Sequence, residues 1–127
     1  MTAEQALADL TEISSQVEAA VLFDSKGTVV ASTLDDAEPF VRAVQDLVAA
    51  AGEARRGSVS QLEAATSEGS VFVVRDGDSF VAATTAPEPT VALVFYDLKT
   101  ALRAASAEPD KKPPRGRTQK KSAGDAS

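Results

Sequence analysis

The 127-residue sequence contains no cysteine and no histidine. Without cysteine there is neither a disulfide framework nor a thiolate nucleophile, which suits a reducing cytosol. Without histidine the commonest general base and a principal transition-metal ligand are also missing. The phosphate-binding motifs GxxxxGK[ST] and GxGxxG and the esterase motif GxSxG are absent as well. We therefore predict no catalytic residue, no bound metal and no cofactor, and we rank a small enzyme as the least favoured hypothesis.

Long apolar runs are also missing. No segment approaches the roughly 18 apolar residues that cross a bilayer, and the N-terminus lacks the basic-then-apolar order of a signal peptide. Asparagine is absent and alanine is abundant, a bias typical of a bacterium with a GC-rich genome. We expect a cytoplasmic protein with no integral membrane association.

The net charge of −6 is unevenly distributed along the chain. Residues 106–127 carry six Lys or Arg and three Asp or Glu. Residues 1–105 therefore carry seven Lys or Arg and 16 Asp or Glu, a net charge of −9. An acidic body repels nucleic acid, so we expect no nucleic-acid partner for it. The last segment is rich in Pro, Lys, Arg and Ser and has little apolar surface to bury. We predict a domain over residues 1–105 and a disordered basic tail over residues 106–127.

The hairpin predicted over residues 70–84 organises the rest of the chain. Two runs of Val, Phe and Ala flank Asp76-Gly77, and these two residues are suited to the central positions of a type I′ turn. Both runs are apolar at nearly every position, which is typical of strands covered on both faces. The hairpin therefore needs helices on both sides of its sheet.

Three segments have the apolar periodicity of helices, and three more resemble strands. We predict helices at about 3–15, after a Thr2/Gln5 capping box, at 36–52 with Asp36 as N-cap and Gly52 or Gly57 as terminator, and at 91–105 after Thr90. Residues 91–96 alone would also suit a strand, but their apolar stripe continues to Leu102. Further strands are predicted at 19–23, 28–32 and 58–66, the last at a sheet edge. The order α-β-β-α-β-β-β-α predicts an α+β sandwich whose five-stranded, mostly antiparallel sheet has helices on both faces.

The polar groups that resemble functional sites also have structural explanations. Asp35-Asp36 suits a helix cap better than a catalytic carboxylate pair, and Asp76 and Asp78 suit a turn better than a cation site. Arg55-Arg56 complements a helix dipole, with an arginine finger towards a nucleotide as the minor alternative. We expect Tyr96 to pack at the rim of the core.

The predicted second helix is apolar around much of its circumference. Phe40, Val44, Leu47 and Val48 form its main stripe, and Val41, Ala43, Ala49 and Ala50 are spread around it. A helix of this kind is usually buried on two sides, and a small sheet covers only one. The second side suggests a partner, most simply a second copy of the chain. The alternative is that alanine is simply common in this sequence.

This order of elements resembles the Roadblock/LC7 family. The similarity rests on residues 20–32, which resemble the family's first hairpin with its Asp-x-x-Gly turn, on the alanine-rich helix at 37–52, on the second hairpin, and on residues 91–105 with Leu98 and Leu102. It covers about residues 3–105 and implies a roadblock/profilin-like sandwich.

The resemblance also implies a dimer, with itself or with a paralogue. The second helices would pack together, and the strands at 58–66 would pair edge to edge. The dimer contacts implied on these two elements are Val41, Val44, Leu47, Val48, Ala51, Val59, Gln61 and Glu63. The implied function is a non-catalytic platform that binds and modulates or scaffolds a small Ras-like GTPase. The alternative is a structural, self-assembling adaptor in a signalling or cytoskeletal complex without a GTPase partner.

The predicted tail contributes almost no apolar surface, so it should be dispensable for folding. We expect a chain that ends at Ala107 to melt within a few degrees of the full chain, measured by circular dichroism. A much lower melting temperature would show instead that the tail docks on the acidic body.

Overall fold

The computed structural model describes residues 2–106 and contains three helices and five strands in the predicted order. The elements are α1 (Ala3–Ile13), β1 (Val17–Asp24), β2 (Val29–Ser32), α2 (Glu38–Arg55), β3 (Gln61–Thr66), β4 (Gly69–Asp76), β5 (Ser79–Thr85) and α3 (Val91–Ser106). The tail predicted to be disordered lies outside the described residues, except that its first residue, Ser106, ends α3. Within residues 2–106 no helix is both long and apolar enough to span a membrane.

The five strands form one sheet in the order β2-β1-β5-β4-β3, and every neighbouring pair is antiparallel. The first strand therefore pairs with the last, with Leu22 opposite Val81 and Phe23 opposite Phe80. This pairing places β1 and the β4–β5 hairpin in the middle of the sheet. It leaves β3 at one edge, as predicted, and β2 at the other.

Helices cover both faces of the sheet, which confirms the predicted sandwich. On one face α1 and α3 pack over the sheet around Leu7, Leu10, Phe72 and Leu98, and we call this region the α1–α3 core. On the other face α2 packs over a smaller group, the α2 core, whose buried residues are Val21, Phe23, Ala37, Val41, Val44, Val73, Phe80 and Ala82. Alternate residues of β1, β4 and β5 supply the two cores, because successive side chains of a strand point to opposite faces.

Local hydrogen bonds explain where the first elements begin and turn. Thr2 Oγ1 accepts a hydrogen bond from the Gln5 amide at 3.1 Å, so the predicted cap of α1 is present. Between β1 and β2 the Asp24 carboxylate accepts from the amides of Lys26 and Thr28, both at 2.9 Å. Gly27 completes this turn with a φ of +86°, a conformation that glycine adopts without steric cost.

The ends of α2 differ from the prediction. Its N-cap is Ala37 rather than Asp36 and makes no side-chain capping bond. The Ala37 methyl is buried in the α2 core, and Pro39 lies in the first turn, where its missing amide hydrogen costs no hydrogen bond. The helix also continues through Gly52 to Arg55 and closes at Arg56, which has a left-handed φ of 53°. The Gly57 amide then donates to the Gly52 carbonyl at 3.1 Å, so Gly57 follows the helix end.

The turn of the organising hairpin and the start of the edge strand also differ from the prediction. The organising hairpin pairs Asp76 with Ser79, so its central turn residues are Gly77 and Asp78, one residue later than predicted. Only Gly77 has a positive φ, +62°, which fits a type II′ turn and not a type I′ turn. The edge strand starts at Gln61 instead of residue 58.

Gly69 begins β4 where the backbone passes close to the end of β5. Its φ is +138°, and a Cβ atom at this position would lie 2.0 Å from the Thr85 carbonyl oxygen. We expect Gly69→Ala to lower the free energy of unfolding by about 3 kcal/mol, through overpacking and backbone strain together.

The matched control is Gly77→Ala, because Gly77 also has a positive φ but has no atom within 4 Å of the place where its Cβ atom would lie. This change should destabilise by less, about 1–2 kcal/mol, since the positive φ of the type II′ turn opposes it but no neighbouring atom does. Urea unfolding measures both variants. Equal losses would contradict the steric explanation.

Candidate interaction surface

The α2 helix buries little of its surface in the single chain. Of its 18 residues only Val41 and Val44 are buried, whereas α1 buries four of its 11. Most helical stability in proteins comes from packing. A long helix with so little burial therefore has side-chain surface that could pack against a further element or a partner.

A second apolar stripe runs along α2 beside the stripe that faces the sheet. Ala43, Leu47, Ala50 and Ala54 recur at i, i+4, i+7 and i+11, which places them on one side of the helix. The three alanines are exposed and Leu47 is half-buried. We call these four residues the outer stripe. Its small side chains would allow another helix to approach closely.

The position of Gln45 shows which way the outer stripe faces. The Gln45 amide lies against Gly27 in the β1–β2 turn, about 3 Å from where a Cβ atom of that glycine would be. At about 100° per residue, Leu47 is roughly 160° around the helix from Gln45. The outer stripe therefore faces away from the β1–β2 hairpin and towards the β3 edge of the sheet.

The sheet beneath that side of α2 is only partly covered. Leu62 of β3 and Val71 of β4 pack against the α2 core and remain half-buried. Among the described residues β3 pairs with β4 alone, so the backbone groups along its outer edge have no strand partner. Its sequence, QLEAAT, contains neither the lysine nor the proline that natural edge strands use against unwanted pairing. The outer stripe, Leu62, Val71 and the free edge of β3 form one surface, which we call the α2–β3 surface.

The structure separates the eight predicted contact residues into three groups. Val41 and Val44 are each 2% exposed inside the α2 core, so including them among partner contacts was wrong, because a folded chain does not present these side chains. Leu47, Val48, Ala51 and Val59 are half-buried. Leu47 belongs to the outer stripe, Val48 packs against the α2 core, and Val59 lies in the loop that precedes β3.

Gln61 and Glu63 belong to the other face of the sheet. They pair with Val74 and Phe72, two residues of the α1–α3 core, so their side chains point away from α2. Glu63 also accepts a hydrogen bond from Ser70 Oγ at 3.3 Å. At the edge of β3 only the backbone of these two residues is placed for pairing.

The sequence reasoning missed Leu62, Val71 and Ala54 as surface residues. The alternation of β3 separates Leu62 from Gln61, and this signal was available in the sequence. Val71 carried no such signal, because it sits in a continuous apolar run that favours burial on both faces.

The polar candidates are explained mostly by local structure. At the β4–β5 turn Arg75 Nε donates to the Gly77 carbonyl at 2.7 Å, and its guanidinium lies 5.3 Å from the centre of the Phe80 ring. Asp76 and Asp78 are exposed around this turn, and within residues 2–106 no group of three or more acidic side chains is arranged to hold a metal ion. Tyr96 is 67% exposed, so the prediction that it packs at the core rim was wrong.

The comparison with known proteins agrees with the fold described above. The Roadblock/LC7 domain family matches residues 4–86, which include the five strands described above, α2 and all of α1 except its first residue. None of the curated proteins compared matches the sequence.

Among solved structures the chain is similar to a Roadblock/LC7 domain from Streptomyces avermitilis, with a TM-score of 0.73 and 18% identity over 84% of this chain and 97% of that one. It is also similar to the gliding protein MglB from Thermus thermophilus, with a TM-score of 0.71 and 14% identity over 83% and 86%. MglB in a tetrameric arrangement gives a TM-score of 0.72 and 14% identity over 83% and 85%. At these identities the likeness concerns the fold, and it confirms the roadblock/profilin-like sandwich.

Proposed function

This chain belongs to the Roadblock/LC7 domain family, a family of regulatory and adaptor domains, and we propose that it acts as a non-catalytic homodimeric platform that binds a small Ras-like GTPase. The observation that carries the dimer is the α2–β3 surface, where an apolar helix flank lies beside an unpaired strand edge. The GTPase is proposed on the strength of the family resemblance.

A second copy of the chain would satisfy both parts of the α2–β3 surface at once. Around a two-fold axis the outer stripes of two α2 helices face each other, and the two β3 edges pair antiparallel. Two five-stranded sheets then become one continuous sheet. Burying the outer stripe, Leu62 and Val71 removes apolar surface from water at about 25 cal/mol per Å², and pairing β3 satisfies its free backbone groups. The tetrameric arrangement of an MglB of the same fold supports self-association as a property of this architecture.

Leu47→Asp is the sharpest test of the dimer. Leu47 is half-buried and lies on the outer stripe, whereas Val48 packs against the α2 core. An aspartate at position 47 would place an unpaired charge in the dimer interface and leave the core of each chain intact. We expect twice the chain mass for the wild type and a folded monomer for the variant, measured by light scattering after gel filtration.

Ala8→Asp is the matched control, because it adds the same charge at an exposed position of α1, outside the α2–β3 surface. It should remain dimeric. Val48→Asp should instead lose stability as well as association, because it disturbs the α2 core. A monodisperse wild-type monomer at tens of micromolar would refute the proposed dimer.

The proposed effect on a GTPase does not use a catalytic base from this chain. The sequence has no histidine, and Asp24 and the carboxylates around Gly77 sit in turns. Any change in hydrolysis would come from ordering the switch segments of the GTPase, through different affinities for its two nucleotide states. By linkage, the ratio of those affinities equals the factor by which this protein shifts nucleotide affinity.

Single alanine substitutions of Arg42, Arg55 and Arg56 distinguish this mechanism from an arginine finger. All three side chains are exposed, on α2 or at its C-terminal end. With a Ras-like GTPase from the same genome, we expect affinity to differ between the GTP- and GDP-loaded forms. We also expect graded changes in hydrolysis for the three variants.

A loss of hydrolysis of about a thousandfold with binding intact would establish a finger in trans and refute the platform mechanism. A dimer that binds no GTPase in either nucleotide state would favour the self-assembling adaptor.

A further inference from the structure

An apolar groove runs between α1 and α3 on the face of the sheet opposite α2. It has a volume of about 340 Å³ and is lined by Ala6, Asp9, Leu10, Ile13, Tyr96, Asp97, Thr100, Ala101 and Ala104. We call it the α1–α3 groove. Because α2 covers the other face of the sheet, a dimer formed through the α2–β3 surface would leave this groove open in both copies.

The rims of the groove expose large apolar side chains. Ile13 is 75% exposed and Tyr96 is 67% exposed, the two highest exposures among the large apolar side chains of residues 2–106. The lining also includes Ala6, Ala101 and Ala104, whose side chains are small. A groove that has small side chains beside large, exposed apolar ones leaves room for side chains of another element.

The spacing of the walls favours a helical ligand. The α1 wall repeats at residues 6, 10 and 13, and the α3 wall at residues 96, 100 and 104. Side chains three or four apart form ridges, and the ridges of a third helix pack into the grooves between them. Recognition of an amphipathic helix by its apolar face in such a groove is a recurring binding mode.

The charges of the groove select among amphipathic helices. Asp9 and Asp97 line it, one on each wall and both half-buried, and its lining contains no Lys or Arg. A ligand that covered these carboxylates without a cation would leave buried charges unpaired. A Lys or Arg at the border of the apolar face would pair with them and set the orientation of the helix.

We propose that the α1–α3 groove binds an amphipathic helix of a partner protein whose apolar face is bordered by Lys or Arg. This second docking surface is separate from the α2–β3 surface and does not depend on the proposed dimer or on a GTPase. The protein would then hold two different partners on opposite faces of one sheet.

The tyrosine of the groove provides a direct reporter. Tyr96 is the single tyrosine of the chain, and the chain has no tryptophan, so intrinsic emission excited near 280 nm comes from the groove. The probe is a synthetic helical peptide without Tyr or Trp, with Leu at i, i+4 and i+7 and Lys at both borders of that face. Two matched peptides replace Lys with Glu, or Leu with Ser. We expect a saturable change of Tyr96 emission with the Lys peptide and affinities at least about tenfold weaker for the other two.

Ile13→Ser and Asp97→Lys test the assignment in the full chain. Ile13→Ser should abolish binding without unfolding the protein, because this side chain is mostly exposed. Val30→Ser is the matched control, since Val30 is 53% exposed on β2 and lies outside the groove. Asp97→Lys should weaken binding of the Lys peptide and strengthen binding of the Glu peptide, a reversal that a general loss of structure would not produce.

Three outcomes would overturn the proposal. The first is equal binding of the Lys and Glu peptides. The second is tighter peptide binding with altered Tyr96 emission after Lys111→Glu and Lys112→Glu, which would identify the chain's own basic tail as the occupant. The third is loss of self-association in Ile13→Ser by light scattering, which would identify a second copy of the chain.

Discussion

Burial of both faces of the central strands is the constraint on which the rest of the structure depends. Val21 and Leu22 of β1, like Val81 and Ala82 of β5, are successive residues that are all buried, because one of each pair faces each core. Strands of this kind are stable only between two layers of helices. The position of α2 on one face and of α1 with α3 on the other follows from that requirement.

The two helical layers meet this requirement unequally, and the difference bears on function. On one face α1 and α3 together cover the sheet and leave the α1–α3 groove between them. On the other face a single long helix contributes two buried residues and leaves an apolar flank beside the free edge of β3. Both features are surfaces suited to binding other proteins.

The features of the fold that depend on local sequence patterns could be predicted. Within residues 2–106, apolar periodicity identified the three helices and turn residues separated the five strands, so the fold class and the edge position of β3 were predictable. Features decided by packing between elements could not be predicted from the sequence. The N-cap of α2 is Ala37, whose methyl is buried, rather than Asp36. Val41 and Val44 belong to the core, although a helical stripe suits a partner equally well. Tyr96 was misplaced because its exposure depends on how α1 lies beside α3, and sequence spacing within one helix does not record that arrangement.

The pairing of β1 with β5 has a consequence for synthesis of the chain. Residues 17–24 find their central partner only when residues 79–85 have been made. Until then the nascent chain carries an apolar strand whose one strand partner within residues 2–106 is the short β2. Closing this loop costs conformational entropy before any β1–β5 contact can form. The sheet should therefore form late and as a unit. A nascent chain stalled before Ser79 should therefore be a substrate for chaperones and proteases and not a partly active domain.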